Sequence, residues 1–377
     1  MTFDLESLRL IWWAILGAVM LGLALSEGLT LGVMLLLPIL GETNQDKQSL
    51  LHSIAPTSLG NLAWLVAMVA IVFAAWPIAY AVAMSSFYLL LLLVLLSILL
   101  RPLALYFLDA HDNVRWRQYG YKVLAASGML PAALLGLLVG NLLKGIPFHL
   151  DSDMRILFLG DFAGLFNLFS LLIAIACLAL LAMHGAVFLQ LKTVGSLQQQ
   201  AQAMTLRAGV AFLILFVAAG MWITHLEGYH ITSDIFPNAR SNPLAKFVKR
   251  GEGLWLDNYE HLPMLWSIPI LTIIGGGAAV WLAYMGKAYR AMIASSICVG
   301  MAVLTFGISM FPFLLPSNIS LNSSLTIWDS SASQLALQTL LGVAAFALPL
   351  IMIYCRWVFR LFADKTGCYT PENNESR

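Results

Sequence analysis

Long apolar runs separated by short polar stretches dominate this chain. A helix needs roughly 20 apolar residues to cross a bilayer. Runs near that size cover about residues 11–40, 61–76, 78–105, 123–143, 162–189, 208–225, 264–284, 291–315 and 335–362. The pattern predicts an all-α polytopic membrane protein, with about nine transmembrane helices packed in helical bundles. Residues 1–362 then form one transmembrane unit and residues 363–377, "ADKTGCYTPENNESR", a polar cytoplasmic tail. Only "AAWPIAY" divides the second run from the third. Pro77 is expected to open the third helix, where its missing N–H is unpaired in any case.

The polar residues inside these runs raise the chemical questions. Glu27 stands in "ALSEGLTLGV", deep in the first run. An ionised side chain in hydrocarbon costs at least ~2.5–3.5 kcal/mol. With no cation beside it in sequence, Glu27 is expected to stay protonated and either to hydrogen-bond locally or to handle a proton. Gly28 and Gly32 allow another helix to approach closely. Asn61 is expected to bridge helices through its amide. Arg101 reads as a cytoplasmic anchor whose stem snorkels. Asp329, in "TIWDSSASQL", reads as an N-terminal cap of the last span or as a contact with a partner. Trp328 falls, with Trp12, Trp13, Trp76, Trp255 and Trp266, near predicted interfaces, as in an aromatic belt.

Composition agrees with the spans. The chain is 60% hydrophobic and 10% charged, against about 25% charged in soluble domains. Net charge is +1, which gives no basic field for nucleic acid. Most lysines and arginines fall in alternate connections: Lys47, Arg101, Arg115, Arg117, Lys122, Lys192, Arg207, Lys287 and Arg290, then Arg356, Arg360, Lys365 and Arg377. That side is expected to be cytoplasmic, which puts the N-terminus in the periplasm and the C-terminus inside. The acidic start "MTFDLESLRLIWW" is unlike a secretory signal and reads as an uncleaved first span.

The four cysteines have no CxxC spacing and read as free thiols. Of seven histidines only His184 lies well inside a run, where a polar residue bonded to a neighbour is the simpler reading than a haem ligand. No catalytic or metal-ligating set is expected.

Polar motifs at the span ends carry a resemblance. In order they are "LRLIWW", "SIAP" followed by "GN", "FAAWP", "RP", "GNLLKGIPF", "LKTVG", "SNPLAK", "MFPFLLPS" and "SLTIWDSSASQLAL". Together the motifs are similar to subunit II of the cytochrome bd-type quinol oxidases, across nearly the whole chain. The resemblance implies a multi-pass subunit of the bacterial inner membrane, paired with a subunit I that carries haem b and haem d. That complex oxidises quinol, reduces dioxygen to water and takes its protons from the cytoplasm. It implies no haem held firmly by this chain, and in some members a structural quinone.

The resemblance also locates acids attributed to the family's proton route. Glu27 keeps the first, while Thr30, Leu59 and Tyr106 stand where acids are expected. Candidate proton-path or buried polar residues are therefore Glu27, Thr30, Asn61 and Tyr106; candidate subunit-contact or capping residues are Asp329, Trp328 and Arg101. The alternatives are a divergent paralogue that scaffolds another membrane complex, and a secondary transporter.

Overall fold

The computed structural model describes residues 3–58, 60–110 and 113–361. Leu59, His111 and the tail expected at 363–377 lie outside the described residues. Twelve α-helices account for most of it: α1 (Leu5–Leu40), α2 (Asn44–Ser58), α3 (Leu62–Ala75), α4 (Pro77–Ser86), α5 (Tyr88–Ala110), α6 (Val114–Lys144), α7 (Leu168–Lys192), α8 (Gly195–Ile223), α9 (Asp257–His261), α10 (Ser267–Tyr284), α11 (Ala288–Met310) and α12 (Gln334–Leu361). Eight are long and apolar enough to cross a membrane, and α3 with α4 counts as a ninth stretch bent by 119°.

Three short antiparallel hairpins complete the described fold: β1 (Phe148–Leu150) with β2 (Ile156–Phe158), β3 (Glu227–Ile231) with β4 (Val248–Glu252), and β5 (Phe313–Leu315) with β6 (Leu325–Thr326). They lie at one end of the bundle and are tied together. Ile146 bridges Ser317, the Leu150 N–H donates to Ser323 Oγ at 3.1 Å, and the Val248 N–H donates to Asn322 Oδ1 at 3.0 Å. At the opposite end short turns join α7 to α8 and α10 to α11. These are called below the hairpin end and the turn end.

Most predicted runs coincide with helices, but the second and third do not match as drawn. Pro77 does open a helix, α4. That helix ends at Ser86, and the true span, α5, starts anew at Tyr88. Trp76, with φ −135° and ψ 70°, lies outside the α region that a following proline disfavours, and the chain turns sharply there. The 14 residues of α3 rise only about 21 Å, short of the hydrocarbon core. The polar helix α2 packs against α1.

The centre of the bundle is α7, which packs on α1, α6, α8 and α11. Its crossing with α1 depends on glycine. A Cβ on Gly185 would stand 2.6 Å from the Gly32 carbonyl carbon and 2.7 Å from the Val33 nitrogen, and one on Gly32 would run into the Leu181 carbonyl oxygen. The backbones touch because neither residue has a side chain.

Three of the belt tryptophans are packed inside the chain and not on its surface. Trp12, Trp76 and Trp255 are buried. The Trp12 indole donates to Leu337 O at 3.1 Å and the Trp255 indole to Leu143 O at 2.8 Å, so each joins two segments. Trp266 remains exposed.

Candidate functional site

A layer of polar side chains crosses the apolar bundle nearer the turn end. It is centred on α1, whose residues fan out to three neighbours. Glu27 faces α5. There Arg101 Nη2 lies 2.6 Å from Glu27 Oε1, with the two side chains 1% and 6% exposed. Ser26 and Thr30, one turn apart on another face, meet Asn61 at the head of α3. The Asn61 amide donates to Ser26 O at 2.9 Å and to Thr30 Oγ1 at 3.0 Å. The third contact is with α7, where His184 Nε2 lies 3.4 Å from Leu25 O. Its Nδ1 lies 2.9 Å from Ser295 Oγ on α11.

Several expectations change here. Arg101 is not a snorkelling anchor. It is fully buried and directed into the chain at Glu27. Glu27 is therefore not a carboxyl without a cation. The carboxylate attracts the guanidinium across the interface, and that attraction offsets part of the cost of removing both from water. Glu27 Oε2 and Arg101 Nε and Nη1 are buried with no protein partner among the described residues. They retain capacity for further hydrogen bonds.

Tyr106 does not belong to this layer. It is 67% exposed on the bundle surface, against the ring of Phe107. Five residues beyond Arg101 on a helix, it points well away from the face that Arg101 uses. His184 engages both ring nitrogens within the bundle, so an axial bond to haem iron would break one of these contacts. Among the described residues no group of three or more His, Cys, Asp or Glu is placed to hold a metal ion.

A second polar cluster lies at the hairpin end. Asp329 does not cap α12, which begins five residues later. Its carboxylate accepts from the Thr326 N–H at 3.0 Å and the Thr326 hydroxyl at 2.5 Å, closing a turn, and pairs with Lys246 at 2.8 Å. Burial pushes the Asp329 carboxyl above the usual carboxylate range, and Lys246 and Thr326 pull it back in part. Burial likewise lowers the Lys246 ammonium, against the attraction of Asp329.

Beside the pair, Arg9 is fully buried. It donates to Ser331 Oγ at 2.8 Å, Pro237 O at 2.5 Å, Ala239 O at 3.1 Å and Ser241 Oγ at 2.9 Å. Sequence reasoning passed over both Arg9 and Lys246. Lys246 lies in the "SNPLAK" motif, which is the available signal; nothing in the sequence marks Arg9 as a buried, multiply bonded guanidinium. Trp328 is half-buried, its ring edge-on to Phe311.

Between α1, α3, α4 and α11 lies an apolar cavity of about 490 Å³, with Trp13, Met20, Trp76, Tyr80, Phe87 and Met310 in its walls.

Comparison with known proteins fits this architecture. The family model described as cytochrome bd terminal oxidase subunit II matches residues 8–362. The chain is 37% identical over 357 residues to cytochrome bd-I ubiquinol oxidase subunit 2 of Escherichia coli K12, covering 94% of each chain. It is 36% identical over 377 residues to the probable cytochrome oxidase subunit 2 of Haemophilus influenzae, covering 99% of each. The structure of bd oxidase from Geobacillus thermodenitrificans has the same fold, with TM-score 0.64 at 17% identity over 94% of this chain and 98% of that one. On its helices, its motifs and these matches, the chain belongs to the cytochrome bd terminal oxidase subunit II family.

Proposed function

We propose that this chain is the haem-free subunit II of a bd-type oxidase of the bacterial inner membrane. With a haem-bearing subunit I it forms the membrane core of a complex that oxidises quinol and reduces dioxygen to water. The family match along nearly the whole chain carries this reading and sets aside the transporter and scaffolding alternatives. His184, held by Ser295 and Leu25, supports the view that haem b and haem d sit in the partner. Expressed alone, the chain should bind no haem; co-expressed with its cognate subunit I it should yield a stable haem complex. A stoichiometric haem spectrum from the isolated chain would overturn the assignment.

The cavity beside α1 supports a further part of this reading, a structural quinone. Its walls suit an isoprenoid tail, and Tyr80 is a polar side chain among them. For proton uptake from the cytoplasm, Glu27, Arg101, Thr30 and Asn61 form the polar layer that a route through this subunit would follow; Tyr106 stands off it.

The hairpin end faces the periplasm in this proposal and the turn end the cytoplasm. The support is the set of cations at the turn end, among them Lys47, Arg115, Lys122, Lys192 and Lys287. The N-terminus is then outside. The last helix, which starts beside Phe3, runs to the cytoplasmic side. A phosphatase fused after Arg377 should be silent and a fluorescent protein at the same place bright; the reverse pair of results refutes this orientation.

A further inference from the structure

Charge is distributed unevenly over the bundle. Residues 162–226 and 261–328 contain no aspartate or glutamate, yet they carry Lys192, Arg207, Lys287 and Arg290. These stretches supply α7, α8, α10 and α11, which pack on one another. Lys192 lies over the Phe188 ring, 5.9 Å from its centroid. Lys287 and Arg290 are exposed at the turn between α10 and α11. Among the described residues neither of these two pairs with a carboxylate. Of the acids at the turn end, Glu42 accepts from Gln200 and Asp46 from the Thr43 N–H and hydroxyl.

The turn that presents the two cations is fixed in place. Gly286 has φ 72°, a left-handed conformation that glycine adopts without strain, and the Lys287 N–H donates back to Leu282 O at 2.9 Å. From α8 the Gln202 amide donates to Ala283 O at 2.7 Å and to Tyr284 O at 2.9 Å. Little ordering is therefore left to be done when an anion binds.

The surroundings of the cations belong to a membrane surface. Trp281 and Tyr284 on α10 and Tyr289 on α11 are all exposed, the aromatic types that sit at headgroup level. Farther into the bundle the exposed side chains turn aliphatic, with Ile274 on α10 and Ile293 and Ile297 on α11. From Tyr284 to Ile274 the helix rises about 15 Å, half the thickness of the hydrocarbon core. Cations, aromatic rings and aliphatic side chains thus follow one another in the order of headgroup, interface and acyl chain.

We propose that the α10–α11 turn binds the phosphate of an anionic phospholipid through Lys287 and Arg290, with the acyl chains against Ile274, Ile293 and Ile297. The guanidinium of Arg290 donates to two phosphate oxygens and Lys287 adds a point charge. Four helices that hold cations and no acids draw their counter-charge from the lipid.

The test uses the intact complex in nanodiscs of phosphatidylcholine, titrated with a photoactivatable phosphatidylglycerol and mapped by peptide mass spectrometry. Labelling within 281–297 should saturate with phosphatidylglycerol and stay at background with the matching phosphatidylcholine probe. Removing a cation near a charged surface should cost about fivefold, the equivalent of ~1 kcal/mol. The half-saturating fraction of probe should therefore rise roughly 25-fold in Lys287→Gln with Arg290→Gln. Both side chains are exposed, so the double variant keeps the fold. Unlabelled phosphatidylglycerol should compete and millimolar inorganic phosphate should not. Equal labelling by the two probes, or a double variant that labels like the parent, would overturn the proposal. Displacement by inorganic phosphate would also overturn it, since the turn would then be a site for a free anion.

Discussion

Arg101→Met should lower the stability of the assembled subunit by about 3–5 kcal/mol, because it leaves the Glu27 charge buried and unpaired. Glu27→Gln alone should also destabilise, since Arg101 cannot shed its proton and is fully buried. The double variant Glu27→Leu with Arg101→Met should recover most of the loss, because well-packed apolar residues replace buried pairs at little or no cost. Thermal melting of the detergent-solubilised complex, followed by size-exclusion recovery, measures all three. A double variant as unstable as Arg101→Met would show that the pair does not act as a unit. Turnover of the recovered double variant then reports on chemistry: near-normal quinol oxidation means protons do not need Glu27, and a loss at full assembly means they do.

The second large effect belongs to the α1–α7 crossing. Gly185→Ala places a methyl group 2.6 Å from the carbonyl carbon of Gly32. The obstacle is backbone, which cannot rotate aside as a side chain would. The helices must separate, at or above the upper end of the roughly 1–3 kcal/mol seen for overpacking. Alanine favours helix over glycine by about 1 kcal/mol, so the sign itself is informative. Gly220→Ala is the control. Gly220 lies within α8 with nothing within 4 Å of its added Cβ, and its variant should match or exceed the parent. Equal melting of the two variants would show that the crossing has room to adjust.

Legibility in the sequence followed length scale. Hydropathy over some twenty residues is a bulk property of bilayer crossing, so most spans were visible. The α3–α4 bend was not, because Pro77 lacks a backbone donor and turns the chain at Trp76 without interrupting apolarity. Arg101 was misassigned for a related reason. A charge near a span end satisfies the orientation rule whether it points to water or inward, and only the approach of α1 decides. Tyr106 was placed in a route by its position in a motif, while helical rotation carried it to the surface. Asn61 was legible because a buried amide must find partners, and carbonyl and hydroxyl groups on a neighbouring helix are the common ones. The buried Arg9 and the Lys246–Asp329 pair depend on the path of an irregular strap, which no periodic pattern encodes.

The wiring at the hairpin end has a consequence for how the protein is made. Arg9 is synthesised long before one of its partners, Ser331, which lies 322 positions later. The Pro237 and Ala239 carbonyls that it also needs follow it by 228 and 230 positions. Until those segments emerge and reach the same face, the guanidinium has only water and lipid headgroups for company. The first helix therefore keeps its leading turn in reach of water until residues 237–331 have been made. Glu27 waits for less time, 74 positions, until Arg101 arrives. The Glu27–Arg101 pair can thus close long before the Arg9 hydrogen bonds to Pro237, Ala239 and Ser331 are complete.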